Sequence, residues 1–498
     1  MTITRRTRII VVLVAIVAVI AWVLIPTNRA RIKAERTRRL LHQRGFRTEL
    51  SDFDLSLKDE VRARAERVIA AGQAVRELIP NRGFDLFRPT GSNAAVVLSR
   101  EEIFATEYST NVWPIFHRDL GAHQAALDGA CAAILSGPIR FEPAKTSSGD
   151  LIVGYLADMR SFSAALAART LLELHDQHID AAWTNLLALT RLATAWDTEP
   201  VELAHSAKFN CATMASRATW EALHVHALDA PRLAALDHEW GQFEPFRGLP
   251  DTTEFWCALA LRNCQNEREK PQSQSPTMRQ AAGDLFSSPA RAWSEATWDL
   301  RESRYRHYGS YEDEVTAMTY YDQRHDCLSH AARAASWAEM RLIPGLTNAP
   351  IFPGAPNSRL QGFASPRSGG PGPGNGLFMR QRPGLAGRAA EAETRRRLVR
   401  TALALENFYL AHRTYPKSLD ALAPGFVVPA DFMDGKALRY QPIADDDFLL
   451  YSTGLDCVDD GGRMDIGTNS PGEPRRGFFR PEEPDMIWPR QAARLKAE

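Results

Sequence analysis

Residues 162–196 read FSAALAARTLLELHDQHIDAAWTNLLALTRLATAW, and the spacing of their apolar side chains decides the fold class of the region around them. In the first half Phe162, Ala165, Leu166 and Leu172 recur at three- and four-residue steps, with Arg169 in the same row. In the second half Ile179, Ala182, Trp183, Leu186, Leu189, Ala193 and Trp196 do the same. At 3.6 residues per turn each set lines one face, so each half is a helix with a single stripe to bury. The polar joint His175-Asp176-Gln177-His178 is short enough to force a reversal, and the small Ala181 and Ala182 let the two helices approach closely. An antiparallel helix pair is the expectation. No second copy recurs at a 34-residue period, so the pair is not one link of a repeat array.

Outward from this pair, the chain from about Leu55 to Leu342 reads as helix after helix. Ser99 followed by Glu102 fits a capping box, and Pro200, Pro231 and Pro250 punctuate later helices. Residues 344–376 then hold seven Pro and eight Gly, a composition that cannot sustain ladders of backbone hydrogen bonds and reads as a flexible tether. Beyond it, Leu398, Ala402, Leu405 and Tyr409 make a helical stripe flanked by Arg395, Arg396, Arg397 and Arg400. Tyr415-Pro416 ends that helix, and Ser418 can cap a short turn through Leu422. Two β-like runs follow, Ala437–Gln441 and Phe448–Ser452, around the hairpin loop Asp445-Asp446-Asp447.

The whole chain has 498 residues, 44% of them hydrophobic, with six Cys. That is too long and too apolar for a disordered, collagenous or disulfide-stapled protein, and it predicts two or three domains. Sixty basic and sixty acidic residues cancel, so no whole-protein field draws it to nucleic acid. The charges are unevenly placed. Residues 1–50 carry eleven Arg or Lys against two Glu, a net of +9, while the stretch from Asp431 to Asp465 is −6.

Within the basic end, Ile9 to Ile25 are seventeen uncharged residues, spanning about 25 Å as a helix, close to a bilayer core. The sequence after Pro26 lacks a small-x-small cleavage pattern, so the run reads as an uncleaved single-pass anchor rather than a signal peptide. Arg29 to Arg39 then form a basic juxtamembrane helix suited to anionic lipid headgroups along the bilayer.

The C-terminal region resembles the globular head of type II secretion pseudopilins of the major, G-type class. The resemblance rests on Ala404-Leu405-Glu406-Asn407-Phe408-Tyr409 with Tyr415-Pro416, on Asp434-Gly435-Lys436-Ala437-Leu438-Arg439-Tyr440, and on Leu450-Tyr451-Ser452-Thr453-Gly454-Leu455-Asp456. It covers about 75 residues, roughly 395–467. It implies a long helix on a short antiparallel sheet, a place in the cell envelope, and calcium bound by the loop after the last main strand. In this chain that loop offers Asp456, Asp459, Asp460 and Asp465, and four carboxylates with two bending glycines can supply a hard cation with oxygens. Val458 stands where an EF-hand needs Asp or Asn, so the loop is not of that kind. The chain departs from the family at its start: the only prepilin-like site, Gly45-Phe46, is followed by charged residues instead of an apolar helix. A polymerising filament subunit is excluded on that ground.

Motifs for catalysis are sparse. The sequence has no Walker A, no Rossmann glycine run, no G-x-S-x-G and no H-E-x-x-H. The histidine groups at 175/178, 224/226 and 325/330 read as surface or capping residues, and Cys257 and Cys264 as buried thiols. The expected architecture is α+β. It runs from a basic N-terminus (1–8) through a transmembrane helix (9–25) and a basic helix (26–50) to a mainly helical domain (51–343). A linker (344–386), a pseudopilin-like head (387–470) and a Pro-rich tail (471–498) complete it. The expected function is a single-pass inner-membrane scaffold or binding component with most of its bulk extracytoplasmic. Its expected partners are the lipid bilayer and an envelope protein, with no nucleic acid, and the alternative is a hydrolase or other enzyme sited in the helical domain.

Overall fold

The helix stripes at 162–196 form, and they lie inside a larger bundle. The computed structural model of the protein describes residues 28–76, 86–91, 94–98, 113–142, 144–145, 151–152, 154–197, 199–269, 301–346, 384–444, 447–462 and 485–488. In chain order these build α1 (28–43), α2 (Asp59–Ala74), the hairpin β1 (Leu86–Gly91) and β2 (Ala94–Leu98), α3 (Trp113–Ala122), α4 (Gln124–Leu135) and the short pair β3 (Ala144–Lys145) and β4 (Leu151–Ile152). Then come α5 (Tyr155–His175), α6 (Ile179–Thr194), α7 (Glu202–His224), α8 (Ala230–Gly241), α9 (Leu249–Glu269), α10 (Ser310–Ala331), α11 (Trp337–Met340) and α12 (Gly384–His412). The strands β5 (Arg439–Ala444), β6 (Asp447–Ser452) and β7 (Met486–Ile487) end the order. The chain divides into two compact units, each of three segments: Met1–Asp54, Pro250–Asp326 and Ala349–Leu377 in one, Leu55–Leu249, Cys327–Asn348 and Phe378–Glu498 in the other.

In the larger unit α5 and α6 bury most of the expected stripes, including Phe162, Leu166, Leu186 and Leu189, with Trp196 buried just past α6 and Ile179 and Trp183 partly exposed. Gln177, at φ 63°, turns the chain between them. Arg169, the charged member of the first stripe, is also buried, and its guanidinium lies 2.6 Å from Asp128 on α4. α2 crosses α5 so closely that a Cβ on Gly72 would lie 2.3 Å from the Asp158 carbonyl oxygen, a contact only glycine permits. α7 is the central helix, in contact with α5, α6 and α12, and its buried residues include Glu202, His205, Ser206 and Lys208 beside the apolar ones.

The long helix α12 belongs to this same bundle. It lies against α7 and α8, with Arg400 donating to Asp237 at 2.6 and 3.1 Å and Arg388 to Asn210 at 3.0 Å. The end of α7 supplies a further clasp. His226, in the left-handed region at φ 49°, places Nδ1 2.7 Å from the buried Glu406 carboxylate, which also accepts from the Tyr415 hydroxyl at 3.0 Å. The His226 ring stacks on Tyr409. β5, β6 and β7 form one antiparallel sheet against which α12 packs through β6. β7 comes from the segment expected as a tail. α11 joins this end of the unit, its Trp337 and Met340 sharing a core with Leu328, Ala390, Phe432 and Met433.

In the smaller unit α1 buries Ala30, Ala34 and Leu41, and arginines of α1 and of the segment just after it meet acids of α9 and α10. Arg38 meets Glu314 at 3.3 Å, Arg44 meets Asp322 and Asp326 at 2.7 and 2.9 Å, and Arg47 meets Glu254 and Asp251 at 2.5 and 2.9 Å. Of the segment assigned to lipid headgroups, Arg31 bonds Glu35 at 2.9 Å, while Arg29 and Arg36 are exposed. Cys257 and Cys264 are buried free thiols, and Tyr305, Tyr320 and Tyr321 are buried core rings.

Two expectations are corrected. Among the described residues the chain is mostly helical, with one three-stranded sheet and two small hairpins, rather than the expected α+β arrangement headed by a transmembrane helix. Among the described residues no helix is long and apolar enough to cross a membrane, which also overturns the single-pass inner-membrane localisation. The longest described helices carry charged residues along their length, such as Asp158, Arg160 and Arg169 in α5 and Arg397 and Glu406 in α12, and so are not apolar enough to span. The run Ile9–Ile25, the capping box at Ser99 and Glu102, most of the glycine-rich tether and the loop residues Asp445 and Asp446 lie outside the described residues.

Candidate functional site

Of the four aspartates expected to hold calcium, the structure describes three; Asp465 lies outside the described residues. Asp456 Oδ1 accepts from its own loop, at Val458 N, 3.0 Å away. Asp459 accepts from the Tyr451 hydroxyl and from Gly461 N, both at 3.0 Å, and its other oxygen accepts from Arg439 Nε at 3.2 Å. The Asp460 backbone N–H is bonded instead to Asp485, which also receives Gly462 N.

The loop is therefore organised around Arg439. Its guanidinium also donates to Asp431 at 2.8 Å and Asp434 at 2.5 Å, so three carboxylates share one fixed cation. Asp431 is fully buried and takes further donors from Met433 N, Ser452 Oγ and Thr453 N. Burial alone would raise the Asp434 carboxyl, but the Arg439 hydrogen bond and charge outweigh it and hold it below its ordinary range. Burial pushes Asp485 up, aided by the charges of Asp459 and Asp460, although the two backbone donors pull it down. Of the described candidates for calcium, Asp459 is thus engaged by the Arg439 guanidinium and the Tyr451 hydroxyl, and Asp456 by the backbone of its own loop. Among the described residues no group of three or more His, Cys, Asp or Glu is arranged to hold a metal ion.

A concave feature of the larger unit lies between α5 and α7. It is a cleft of about 250 Å³ walled by Leu156 and Ala157 from one helix and Leu203, Ala207 and Met214 from the other. Four polar side chains line it: Arg160, Ser163, Asn210 and Cys211. The Ser163 hydroxyl donates to the Met159 carbonyl at 2.8 Å and lies 3.1 Å from Cys211 Sγ. Burial pushes the Cys211 thiol up to about 11, the Ser163 hydrogen bond offsetting only part of it. Partial burial lowers the Arg160 guanidinium.

The joint between α6 and α7, in the same unit, is a buried polar knot. Glu199, fully buried, accepts from Phe141 N at 2.7 Å and from the Tyr155 hydroxyl at 2.8 Å. Burial nevertheless pushes its carboxyl up to about 7, the two donors pulling the other way. Lys208 donates to the Trp196 carbonyl at 2.8 Å and is lowered by burial to about 8. His205, lowered by burial and then by Lys208 to about 3, is held neutral.

Sequence reasoning missed the cleft, Asp431 and the knot at Glu199. The one available signal was in α7, where Asn210 and Cys211 fall among alanines at helical spacing, on a face with too little bulk to fill its neighbour's groove. Compared with protein families, with curated proteins and with solved structures, the chain finds no match.

Proposed function

We propose that this protein is a non-catalytic binding protein whose ligand occupies the cleft between α5 and α7. The observation that carries this reading is the chemistry of the lining: five apolar side chains, two groups that donate, and no acid or imidazole among the lining residues. Acyl or phosphoryl transfer asks for a nucleophile beside a general base. Here the Ser163 hydroxyl is committed to a carbonyl and the Cys211 thiol stays protonated. A concave, mainly apolar site with a few placed polar atoms is the ordinary form of a binding pocket. Calorimetric titration with n-octanol, a neutral apolar probe, tests it. One molecule is expected to bind per chain, with binding abolished in Ala207→Trp, whose indole fills the cleft. Failure of the wild-type protein to bind n-octanol, or equal binding by an Ala207→Trp protein of unchanged circular dichroism, ends the reading.

A further inference from the structure

The smaller unit carries a helix face with a chemistry of its own. α1 spans 28–43, and at 3.6 residues per turn its positions divide into two sides. Ala30, Ala34 and Leu41 form the buried side, and Arg38 near them reaches Glu314 of α10. Arg29, Ile32, Lys33, Arg36, Arg39 and Leu40 fall within roughly a third of the circumference on the opposite side, and all six are exposed. The charges of that face are available. Among the described residues Arg29, Lys33 and Arg36 enter no ion pair, and Arg39 stands 3.9 Å from Glu35, whose carboxylate is already bonded to Arg31 at 2.9 Å. Glu35 is the only acid of α1, so the outward side is a local excess of positive charge in a chain whose total is zero.

The apolar members of the face are a second, independent observation. Ile32 is 64% exposed and Leu40 53%. One aliphatic side chain in water is ordinary, but two on one stripe among four cations form the pattern of a helix that lies in a headgroup layer. They stand about 12 Å apart along the axis, with Lys33 and Arg36 between them. The basic side chains have aliphatic stems long enough to lie on acyl carbon while their charged ends stay at headgroup level. A phosphodiester chain would match the cations, yet it would leave Ile32 and Leu40 in water, and none of the six residues has an aromatic ring to stack on a base.

We propose that the outward face of α1 docks on an anionic lipid surface, with Ile32 and Leu40 entering the acyl boundary and Arg29, Lys33, Arg36 and Arg39 against headgroup phosphates. The helix lies along the surface and does not cross it, in keeping with the absence among the described residues of any helix long and apolar enough to do so. Docking requires no unfolding, because Ala30, Ala34, Leu41 and the Arg38 pair with Glu314 lie on the other side.

The test is sedimentation of the full chain with phosphatidylcholine vesicles prepared with and without phosphatidylglycerol. The wild-type protein is expected to partition about a hundredfold or more in favour of the anionic vesicles, and high salt to remove most of that preference. Arg29→Gln, Lys33→Gln and Arg36→Gln together should lower anionic partition about a hundredfold, near fivefold for each cation. Ile32→Ser with Leu40→Ser should lower it about tenfold and leave its salt dependence in place. Arg67→Gln with Lys417→Gln, two exposed cations elsewhere in the chain, should change it little. Equal binding to the two vesicles, as an uncharged apolar run such as Ile9–Ile25 would give, overturns the proposal. So does a preference that survives the triple substitution at unchanged circular dichroism, that falls as far in the Arg67 and Lys417 protein, or that ignores the loss of Ile32 and Leu40. Binding to neither vesicle ends it as well, and capture of a single-stranded RNA in that case assigns the face to nucleic acid instead.

Discussion

Glu199 carries a titration that the fold must absorb. Its carboxyl is fully buried, receives two hydrogen bonds, and still titrates near 7 because desolvation outweighs both donors. A folded value above the unfolded one means that the native state binds more protons than the unfolded chain between about pH 4.5 and 7. The stability Glu199 contributes is therefore present below pH 4.5 and lost as the pH rises through 7. Gln at this position can accept from Phe141 N and bond the Tyr155 hydroxyl without ionising. Glu199→Gln should gain on the wild type by ~2–3 kcal/mol between pH 5 and pH 8, measured by urea denaturation at each pH. His205 produces a slope of opposite sign, since its lowered value makes the unfolded state the better proton binder below about pH 6.5. That slope is common to both proteins and cancels in the comparison. A flat difference across the range would contradict the burial of Glu199.

Among the elements, the sheet end of the larger unit depends on a cation supplied by β5. Arg439 ties Asp431 beneath β6, Asp434 in the turn before β5 and Asp459 in the loop after β6. Removing a partner from a buried charge pair costs about 3–5 kcal/mol because the remaining charge is stranded. Arg439→Gln is expected to lose stability of that order. Millimolar calcium is expected to leave the melting temperature of the wild-type protein unchanged. A calcium-dependent rise in scanning calorimetry would show that the guanidinium does not fill the role given to it. The contrast with the aspartate reading shows what local sequence can and cannot carry. The stripes of α5 and α6 and the paired runs at 437–441 and 448–452 were legible because their period is written in consecutive residues. Asp456, Asp459 and Asp460 looked like a metal loop because composition is local too. Arg439, which holds the Asp459 carboxylate, and Asp485, which holds the Asp460 backbone N–H, stand about twenty and twenty-five residues away and are joined to them only by the fold. β7 was illegible for the same reason: two residues, Met486 and Ile487, have no pattern until β6 is beside them. α7 gave a weak signal because it buries residues all round, so no single stripe marks it.

For the whole molecule, the decisive fact is that the larger unit is assembled from three separated segments. The C-terminal segment supplies α12, and Glu406 and Tyr409 of that helix, with Tyr415 just after it, grip His226 beyond the end of α7. Buried faces of α12 such as Ala386, Ala390 and Leu398 need covering. Residues 378–498 produced alone are therefore expected to lack a cooperative thermal transition and to show collapsed amide dispersion in NMR. A connected protein of residues 55–249, 327–348 and 378–498 is expected to melt cooperatively. A well-dispersed spectrum from 378–498 alone would mean that the head is self-sufficient and that the clasp is incidental.

The same interleaving sets a timetable during synthesis. α7 leaves the ribosome well before α12, which covers one of its flanks, and at ordinary translation rates the interval is roughly ten seconds or more. Throughout it the flank that α12 will cover stays open to water and to other nascent chains. The protein is thus a natural client for chaperones that shield apolar helices, and its yield in a cell should follow chaperone supply more closely than the stability of the finished fold.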